Sequence, residues 1–428
     1  MKQKILSALV IFLLHVGFCK MLFAQEANVL RSIEFEGLKK NKETYLATRI
    51  ESRPGQVIND SLITEDVQRL KNTIGIGQAT ARLDTSLENN NTHLIFTVQE
   101  VRTLLPIINF GGVTDNLWFQ IGFKDINWLG KGHNLTAFYQ NNDGRHTGEV
   151  FYRIPQFLKS NWGGSASFRR WASQEPLFFP EGTVNYDYTN TSIALSAIRN
   201  FGFHRQLEFG GSVFVENYRK SEEQFLSEPP GPAEATETKT LLRLDYREDF
   251  LKYDFFYQSG LTWSLTAQNV YSVTEQVWFN SLQFNAREYI RLGKKINLAI
   301  RFQAGIATNN DTPFAPFVAD NFVNLRGVGN RIDRGTAQVV LNTEFRQTVL
   351  HTPKWGIQLV AFSDIGTWRN PGGQLDDLIS SENFKTFFGG GVRIIYPKVH
   401  GAVIRIDYGV GAFNKQTRGL VVGFGQYF

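Results

Sequence analysis

The chain has 428 residues, of which 42% are apolar, 14% aromatic and 20% charged, and its formal net charge is +5. It is too apolar and too aromatic for a disordered chain, and 36 Phe and 38 Gly against 2 Met do not suit a helical bundle. Frequent aromatic residues favour many β-strands. The length leaves room for one large domain, or for a small domain and a large one.

The first 24 residues have the pattern of a secretory signal peptide. Lys2 and Lys4 precede a short apolar run, and Ala24 supplies the small residue at the expected cleavage point. A signal anchor is the alternative, although the apolar run is short for one. Cleavage would remove the single cysteine, Cys19, and three lysines, which leaves 42 basic residues against 40 acidic ones. With that balance and no basic helix, we expect no nucleic-acid partner.

Residues 27–102 are predicted to form one small α/β domain. Loose alternation from Leu30 predicts a strand that ends at Gly37. Apolar residues at helical spacing predict a helix over 42–50 and a second helix with its N-cap at Ser61. Two further strands are predicted to form a hairpin, so the expected order is strand, helix, helix, strand, strand.

Residues 103–428 are predicted to form an antiparallel β-barrel. Period-two alternation is clearest over 295–307, where apolar residues occupy one face and Asn297, Arg301 and Gln303 occupy the other. Alternation alone also fits a soluble sandwich. Charged residues on the inward face of long strands favour a transmembrane barrel, whose apolar face meets lipid and whose polar face lines the lumen.

We expect sixteen barrel strands, with short connections after the even-numbered strands and several long ones after the odd-numbered strands. That asymmetry is typical of outer-membrane barrels, which have short periplasmic turns and long outer loops. The long loops are expected at 174–185, 219–238, 308–335 and 367–385. The strands are expected at 104–111, 118–126, 133–140, 148–154, 162–173, 186–198, 206–218, 239–249, 258–269, 276–289, 295–307, 336–348, 355–366, 386–396, 402–411 and 419–428.

Four short motifs follow one another along the predicted barrel. They are Asn127–Gly132 (NWLGKG) after the second strand, Leu325–Val328 (LRGV) in the loop 308–335, Glu344–Arg346 (EFR) in the twelfth strand and Phe362–Gly366 (FSDIG) in the thirteenth. Their order and spacing, behind a single strand-helix-helix-strand-strand unit, resemble the bacterial outer-membrane assembly-factor superfamily. That superfamily includes the BamA and TamA insertases and the FhaC-type translocators. The resemblance covers essentially the whole mature chain, and it implies one periplasmic POTRA domain before a sixteen-stranded barrel in the cell outer membrane.

Two features depart from the family pattern. Val328 stands where the family usually has an aromatic residue, so different packing of the loop tip is expected. Only one POTRA domain fits before the barrel, whereas the insertases carry several. The loop motif itself consists of Leu325, Arg326, Gly327 and Val328.

The resemblance implies that the loop 308–335 folds back into the lumen and takes Arg326 with it. Alternation places Glu344 and Asp364 on faces that we assign to the lumen. A guanidinium group in a narrow lumen needs carboxylate partners, and Arg suits bidentate pairing better than Lys. We therefore expect Arg326 to pair with Glu344, Asp364 or both and so to pin the loop inside the barrel. The alternative is a solvated loop arginine.

The seam between the first and last predicted strands is a second candidate site. Pro106 removes a ladder donor near the start of the first strand, and Gly423 and Gly425 give the last strand little side-chain packing. Such a seam could open as a lateral gate, and ordinary barrel closure is the alternative. Gly423 and Phe428 also fit a carboxy-terminal assembly signal, which Gln426 leaves partial.

The sequence offers no constellation for catalysis, so we expect neither an enzyme nor a cofactor. Six of the seven histidines lie after the predicted signal peptide, scattered without metal-ligand spacing. The resemblance implies a factor that inserts or assembles outer-membrane proteins by templating client strands at the seam. Alternatives are a two-partner-secretion translocator that exports a polypeptide, and a non-enzymatic pore or accessory barrel of an envelope complex. Expected partners are the outer-membrane lipid bilayer, client or partner polypeptides at the POTRA domain and seam, and other envelope subunits.

Overall fold

The computed structural model describes residues 29–428 apart from 87–90, 114–115, 143, 158–159, 222–229, 255–256, 311, 313, 321–323, 329–332 and 413–416. The predicted signal peptide at 1–24 therefore lies outside the described residues. Among the helices of the described part, none is long and apolar enough to cross a membrane.

A three-stranded sheet and two helices form a small α/β domain. The middle strand, β3 (Asn91–Glu100), runs parallel to β1 (Leu30–Glu36) and antiparallel to β2 (Ile76–Ser86). The predicted order of strand, helix, helix, strand, strand matches the observed elements. These are β1 (Leu30–Glu36), α1 (Glu43–Leu46) with a 3₁₀ turn (Ala47–Arg49), α2 (Asp60–Lys71), β2 (Ile76–Ser86) and β3 (Asn91–Glu100).

Apolar side chains from both helices pack on the sheet to form the core of this domain. Leu46, Leu70 and Phe96 are completely buried in it. The N-cap of helix α2 is Asn59, two residues before the predicted N-cap at Ser61, because the side chain of Asn59 accepts a hydrogen bond from the backbone N–H of Leu62 at 3.1 Å.

A closed antiparallel β-barrel follows, with seventeen strands in the described residues. Sixteen are long, and the other, β12 (Lys252–Asp254), pairs with the start of β13. The prediction of a mainly β chain, with an antiparallel barrel behind one small α/β domain, is confirmed. The long strands are β4 (Leu104–Val113), β5 (Asn116–Trp128), β6 (His133–Asn142), β7 (Arg145–Ile154), β8 (Trp162–Phe179), β9 (Gly182–Phe201), β10 (Arg205–Lys220), β11 (Glu234–Asp249), β13 (Tyr257–Ser272), β14 (Val277–Leu292), β15 (Ile296–Ala307), β18 (Ala337–His351), β19 (Gly356–Arg369), β20 (Lys385–Ile395), β21 (Val403–Gly411) and β22 (Arg418–Phe424).

Alternation along the strands separates an apolar exterior from a polar interior. Leu242 and Leu244 of β11 are exposed, whereas the neighbouring Asp245 is buried. On β15, Ile306 is exposed and Arg301 is buried. An apolar outer surface and a charged inner one are what a barrel in lipid requires.

Several expected boundaries are wrong. The loop expected at 219–238 is shorter, because β11 begins at Glu234. The loop expected at 174–185 is a hairpin, because β8 and β9 stay paired up to Phe179 and Gly182. Tyr186 and Tyr188 pack in a buried aromatic cluster there, which stabilises the extension of the two strands. The last strand, expected at 419–428, ends at Phe424, because the backbone turns inward at the next residue.

Candidate functional site

The loop between β15 and β18 folds into the barrel. Two short strands, β16 (Phe317–Ala319) and β17 (Asp333–Gly335), pair within it. Leu325 is completely buried, and Val328 is 7% exposed. Both pack in one apolar cluster with Trp368 of β19. An aliphatic side chain thus fills the position where the sequence departs from the family pattern.

Arg326 lies in this loop with none of its surface exposed, and it contacts three carboxylates. Its Nε and Nη2 atoms donate to the two oxygens of Asp364, each at 2.8 Å, and its backbone N–H donates to the same carboxylate at 3.0 Å. Its Nη1 atom pairs with Glu344 and lies 3.4 Å from Asp407 Oδ2. Asp364 also accepts from Asn342 Nδ2 at 2.7 Å. Bidentate geometry of this kind gives strong, directional pairing.

Two further arginines complete the network. Arg346 Nε donates to Glu344 at 2.6 Å, and Arg393 donates to Glu344 at 3.1 Å and to Asp407 at 2.6 Å. Three guanidinium groups therefore face three carboxylates, and each carboxylate has at least one cationic partner. Sequence reasoning named Arg326 and two of the carboxylates and missed Arg393 and Asp407. Alternation along β20 and β21 places Arg393 and Asp407 on the inward face, and this was the signal in the sequence that could have identified them.

Glycines clear space for the loop on the lumen wall. A Cβ atom on Gly409 would lie 2.3 Å from the carbonyl oxygen of Arg326, and one on Gly327 would lie 2.8 Å from the backbone of Gly409. A Cβ atom on Gly389 would lie 2.3 Å from the ring of Phe362. These glycines allow backbone to approach backbone. Gly327 belongs to the loop motif that the sequence indicated, whereas Gly389 and Gly409 were not assigned a role from the sequence.

The seam lies between β22 and β4, which are neighbours in the closed strand order. Pro106 stands opposite Phe123 of β5 and is exposed on the outer face. Gly423 leaves room for an arginine, since a Cβ atom there would lie 2.8 Å from Arg405 Nη2. Gly425 is not part of the last strand, contrary to expectation, and has a positive φ of 82°.

The residues after this turn enter the lumen. Tyr427 is 7% exposed and Phe428 is 8% exposed. The carbonyl oxygen of Phe428 accepts from Arg346 Nη2 at 3.2 Å. The expectation that Phe428 ends the last strand is wrong, because the ring finds apolar and cationic partners inside the barrel.

The small domain docks on the turn between β5 and β6. Lys40 Nζ lies 2.7 Å from Asp125 Oδ2, and Asn127 Nδ2 donates to Asn41 Oδ1 at 2.9 Å. Gly130 in the NWLGKG motif is so close that a Cβ atom would lie 1.9 Å from the carbonyl oxygen of Lys40. The motif therefore forms the contact between the two parts of the chain.

The same domain reaches other turns around the barrel mouth. Asn72 Nδ2 donates to the carbonyl of Leu251 at 2.8 Å, and Gln68 Nε2 donates to the carbonyl of Tyr253 at 3.1 Å. The backbone N–H of Arg102 donates to the 398 carbonyl at 3.0 Å. A cavity of about 630 Å³ remains between the domain and the mouth. The domain thus lies across this end of the barrel.

Glu100 fixes the segment that makes these contacts. Its carboxylate accepts from the backbone N–H groups of Lys40 at 2.7 Å and Asn41 at 2.9 Å. Burial raises the pKa of the Glu100 carboxyl, but hydrogen bonds from the 39–41 segment lower it by more, so the pKa lies below its usual range. Among the described residues, no group of three or more His, Cys, Asp or Glu could hold a metal ion.

The comparisons with known proteins agree with this architecture. Residues 127–428 match the Omp85 superfamily domain, and residues 29–101 match POTRA, described as a surface antigen variable number repeat. The chain belongs to the Omp85 superfamily, and it has a single POTRA domain before the barrel. The predicted resemblance to the assembly-factor superfamily is therefore confirmed.

Solved structures share the fold at low sequence identity. BamA from Haemophilus ducreyi lacking POTRA domains 1–3 is 14% identical with a TM-score of 0.55, over 92% of this chain and 84% of that chain. CdiB from Acinetobacter baumannii is 12% identical with a TM-score of 0.57, over 93% and 74% of the two chains. CdiB from Escherichia coli is 11% identical with a TM-score of 0.56, over 92% and 75%. No curated protein sequence matches this chain.

Proposed function

We propose that this chain is an outer-membrane factor that inserts client β-strands into the membrane at the β4–β22 seam. Its POTRA domain lies in the periplasm, and the pinned loop keeps the lumen closed at rest. The observation that carries the proposal is the buried network of ion pairs around Arg326. A permanently open pore would put water where this network lies. The network therefore favours a machine that opens only during a working cycle.

The strand β22, at the seam, is the shortest of the sixteen long barrel strands. The strand β22 has seven residues and pairs with β21 over seven positions. The strands β18 and β19, which carry the ion network, have 15 and 14 residues. Fewer ladder bonds need to break when a short strand moves, which favours opening at β22.

The POTRA sheet offers a way to receive a client. Its order is β1-β3-β2, so two of its three strands lie at sheet edges. An extended polypeptide can add to such an edge through main-chain hydrogen bonds. Docking of the POTRA domain across the barrel mouth would then bring that client beside the seam.

A second function, export of a partner polypeptide through the lumen, is supported by the cavity at the mouth. It has about 630 Å³ and lies between the POTRA domain and the barrel. Basic residues of both parts line it, including Arg49, Lys71, Arg247 and Arg287. A polypeptide could enter the lumen there once the loop moves. A passive pore lacks support of this kind.

Crosslinking from the outer face of the seam tests the proposal. A photoreactive residue would replace Ile108 of β4 or Leu420 of β22, which are 61% and 62% exposed. Ile193 of β9, 60% exposed, is the matched control away from the seam. We expect adducts with several barrel precursors from the seam positions alone. Adducts with one secreted polypeptide would instead support export, and no difference from the Ile193 control would refute a working seam.

A further inference from the structure

The four residues after the last strand, 425–428, carry the chain from the lipid-facing surface into the lumen. Phe424, at the end of β22, is 69% exposed. Gly425 then adopts a φ of 82°, in which a side chain would be strained, and its N–H donates to the carbonyl of Val403 at 2.7 Å. Tyr427 and Phe428 follow as buried residues. We call residues 426–428 the tail.

The tail covers the arginine that holds the loop. The Cζ atom of Arg326 lies 3.6 Å from the ring centroid of Phe362 and 4.1 Å from that of Tyr427. Carboxylates occupy the edges of the guanidinium group, so these two rings cover its faces. Cation–π contacts of this kind are strongest when they are desolvated. Tyr427 therefore contacts Arg326 directly, as the acidic residues that hold the loop do.

Other arginines of the lumen bind the tail backbone and its amide side chain. Arg405 Nη1 donates to the carbonyl of Gln426 at 3.1 Å, and Arg393 Nε donates to its Oε1 atom at 3.2 Å. Arg346 Nη2 donates to the carbonyl of Phe428 at 3.2 Å. Arg346 and Arg393 are the same residues that neutralise the carboxylates around Arg326.

The far end of the tail lies against the turn that the POTRA domain holds. Phe428 packs in a buried cluster with Tyr289 of β14 and with Leu251. The carbonyl of Leu251 accepts a hydrogen bond from Asn72, at the end of POTRA helix α2. The tail thus contacts both the loop pin and a docking point of the POTRA domain.

We propose that the tail is a latch that couples the seam to the loop. Because it continues directly from β22, movement of β22 away from β4 pulls Tyr427 off Arg326 and removes three hydrogen bonds from the network. Release of the loop then follows the opening of the seam. This bears on the opening step of the proposed function, but the coupling is a property of the barrel and is measurable without a client.

The test is single-channel conductance in planar bilayers with the purified full chain. The variants are Tyr427→Leu, Arg326→Lys and the double variant, with Tyr427→Phe as the conservative substitution and Phe424→Leu as the control on the outer face. We expect Tyr427→Leu to raise the frequency of open events roughly tenfold, as loss of a desolvated cation–π contact would. Tyr427→Phe and Phe424→Leu should behave as the wild type does.

Coupling is decided by the double variant. Residues in one network give non-additive effects, so the double variant should open about as often as the more active single variant. The latch is overturned if the increases in opening frequency of the two single variants multiply in the double variant. It is also overturned if Tyr427→Leu opens as rarely as the wild type. Folding of each variant is checked on a gel by the difference in migration between the unheated, folded barrel and the heated, unfolded one. If Tyr427→Leu does not fold, Phe428→Leu tests the other aromatic contact between the tail and the network, since Arg346 Cζ lies 5.5 Å from the centroid of the Phe428 ring. The proposed function is tested independently by crosslinking at the seam, so a negative conductance result would overturn the latch and not the proposed function.

Discussion

Replacement of Arg326 by Ala tests the pin most sharply, because the structure shows which carboxylate would lose its cation. Glu344 would keep Arg346 and Arg393, and Asp407 would keep Arg393. Asp364 pairs with Arg326 and accepts otherwise from a neutral amide. The substitution therefore leaves one buried carboxylate without a cation.

The cost follows from that uncompensated charge. Removal of one partner of a buried ion pair destabilises proteins by about 3 to 5 kcal/mol. Adding Asp364→Asn removes the stranded charge, so the double variant should recover a large part of the loss. Arg205→Ala is the control, because that arginine is 58% exposed and its partner Glu248 keeps hydrogen bonds from Tyr246 and Trp263. Its loss should cost about 1 kcal/mol or less.

The assay is urea unfolding of the purified barrel in detergent, followed by the gel shift between folded and unfolded forms. We expect the midpoint to fall for Arg326→Ala and to rise again when Asp364→Asn is added. The reasoning is refuted if Arg326→Ala unfolds like Arg205→Ala. It is also refuted if Asp364→Asn adds a further loss to Arg326→Ala.

Three other substitutions probe the contacts described above. Gly409→Ala should dislodge the pinned loop, since the new Cβ would lie 2.3 Å from its backbone, and it should lower the unfolding midpoint; Gly390→Ala, with its nearest atom at 3.4 Å, should not. Gly130→Ala should push the POTRA domain off the barrel and speed hydrogen exchange at the POTRA contact. Gly293→Ala is the control, because Gly293 also has a positive φ but a Cβ atom there would meet nothing within 4 Å. Equal exchange in the two variants would contradict the steric argument. Glu100→Gln should lower the melting temperature of the chain at about pH 7. The difference from the wild type should vanish as the pH falls through the lowered pKa of Glu100, because a carboxyl group with a depressed pKa stabilises the fold only while it is ionised. A difference in melting temperature that persists at about pH 2 would show that the charge of Glu100 is not the cause.

Much of the barrel could be predicted from the sequence, because the physical signal repeats along it. On β15, for example, Ile306 faces outward and Arg301 inward, and one register satisfies lipid and lumen together. The same alternation placed Glu344 and Asp364 inside. The position of Arg326 was accessible only through the resemblance, since an arginine in a long loop is ordinarily solvated.

Long-range packing explains the failures. The turn at Gly425 and the burial of Phe428 depend on arginines from β18 and β21, which no local pattern reveals. Gly409 is needed because the backbone of Arg326 passes over it. The loop expected at 174–185 is a hairpin because aromatic residues of several strands pack there. In each case the partner lies far away in sequence.

A reversible disulfide across the seam tests the central claim most directly. The only cysteine of the sequence is Cys19, inside the predicted signal peptide, so paired cysteines introduced along β4 and β22 would have no competing thiol after cleavage. Insertion of an unfolded barrel protein into vesicles that contain the locked chain is then measured before and after reduction. We expect insertion to stop in the oxidised form and to return with the reductant. Full insertion by a barrel with a closed, locked seam would contradict the account.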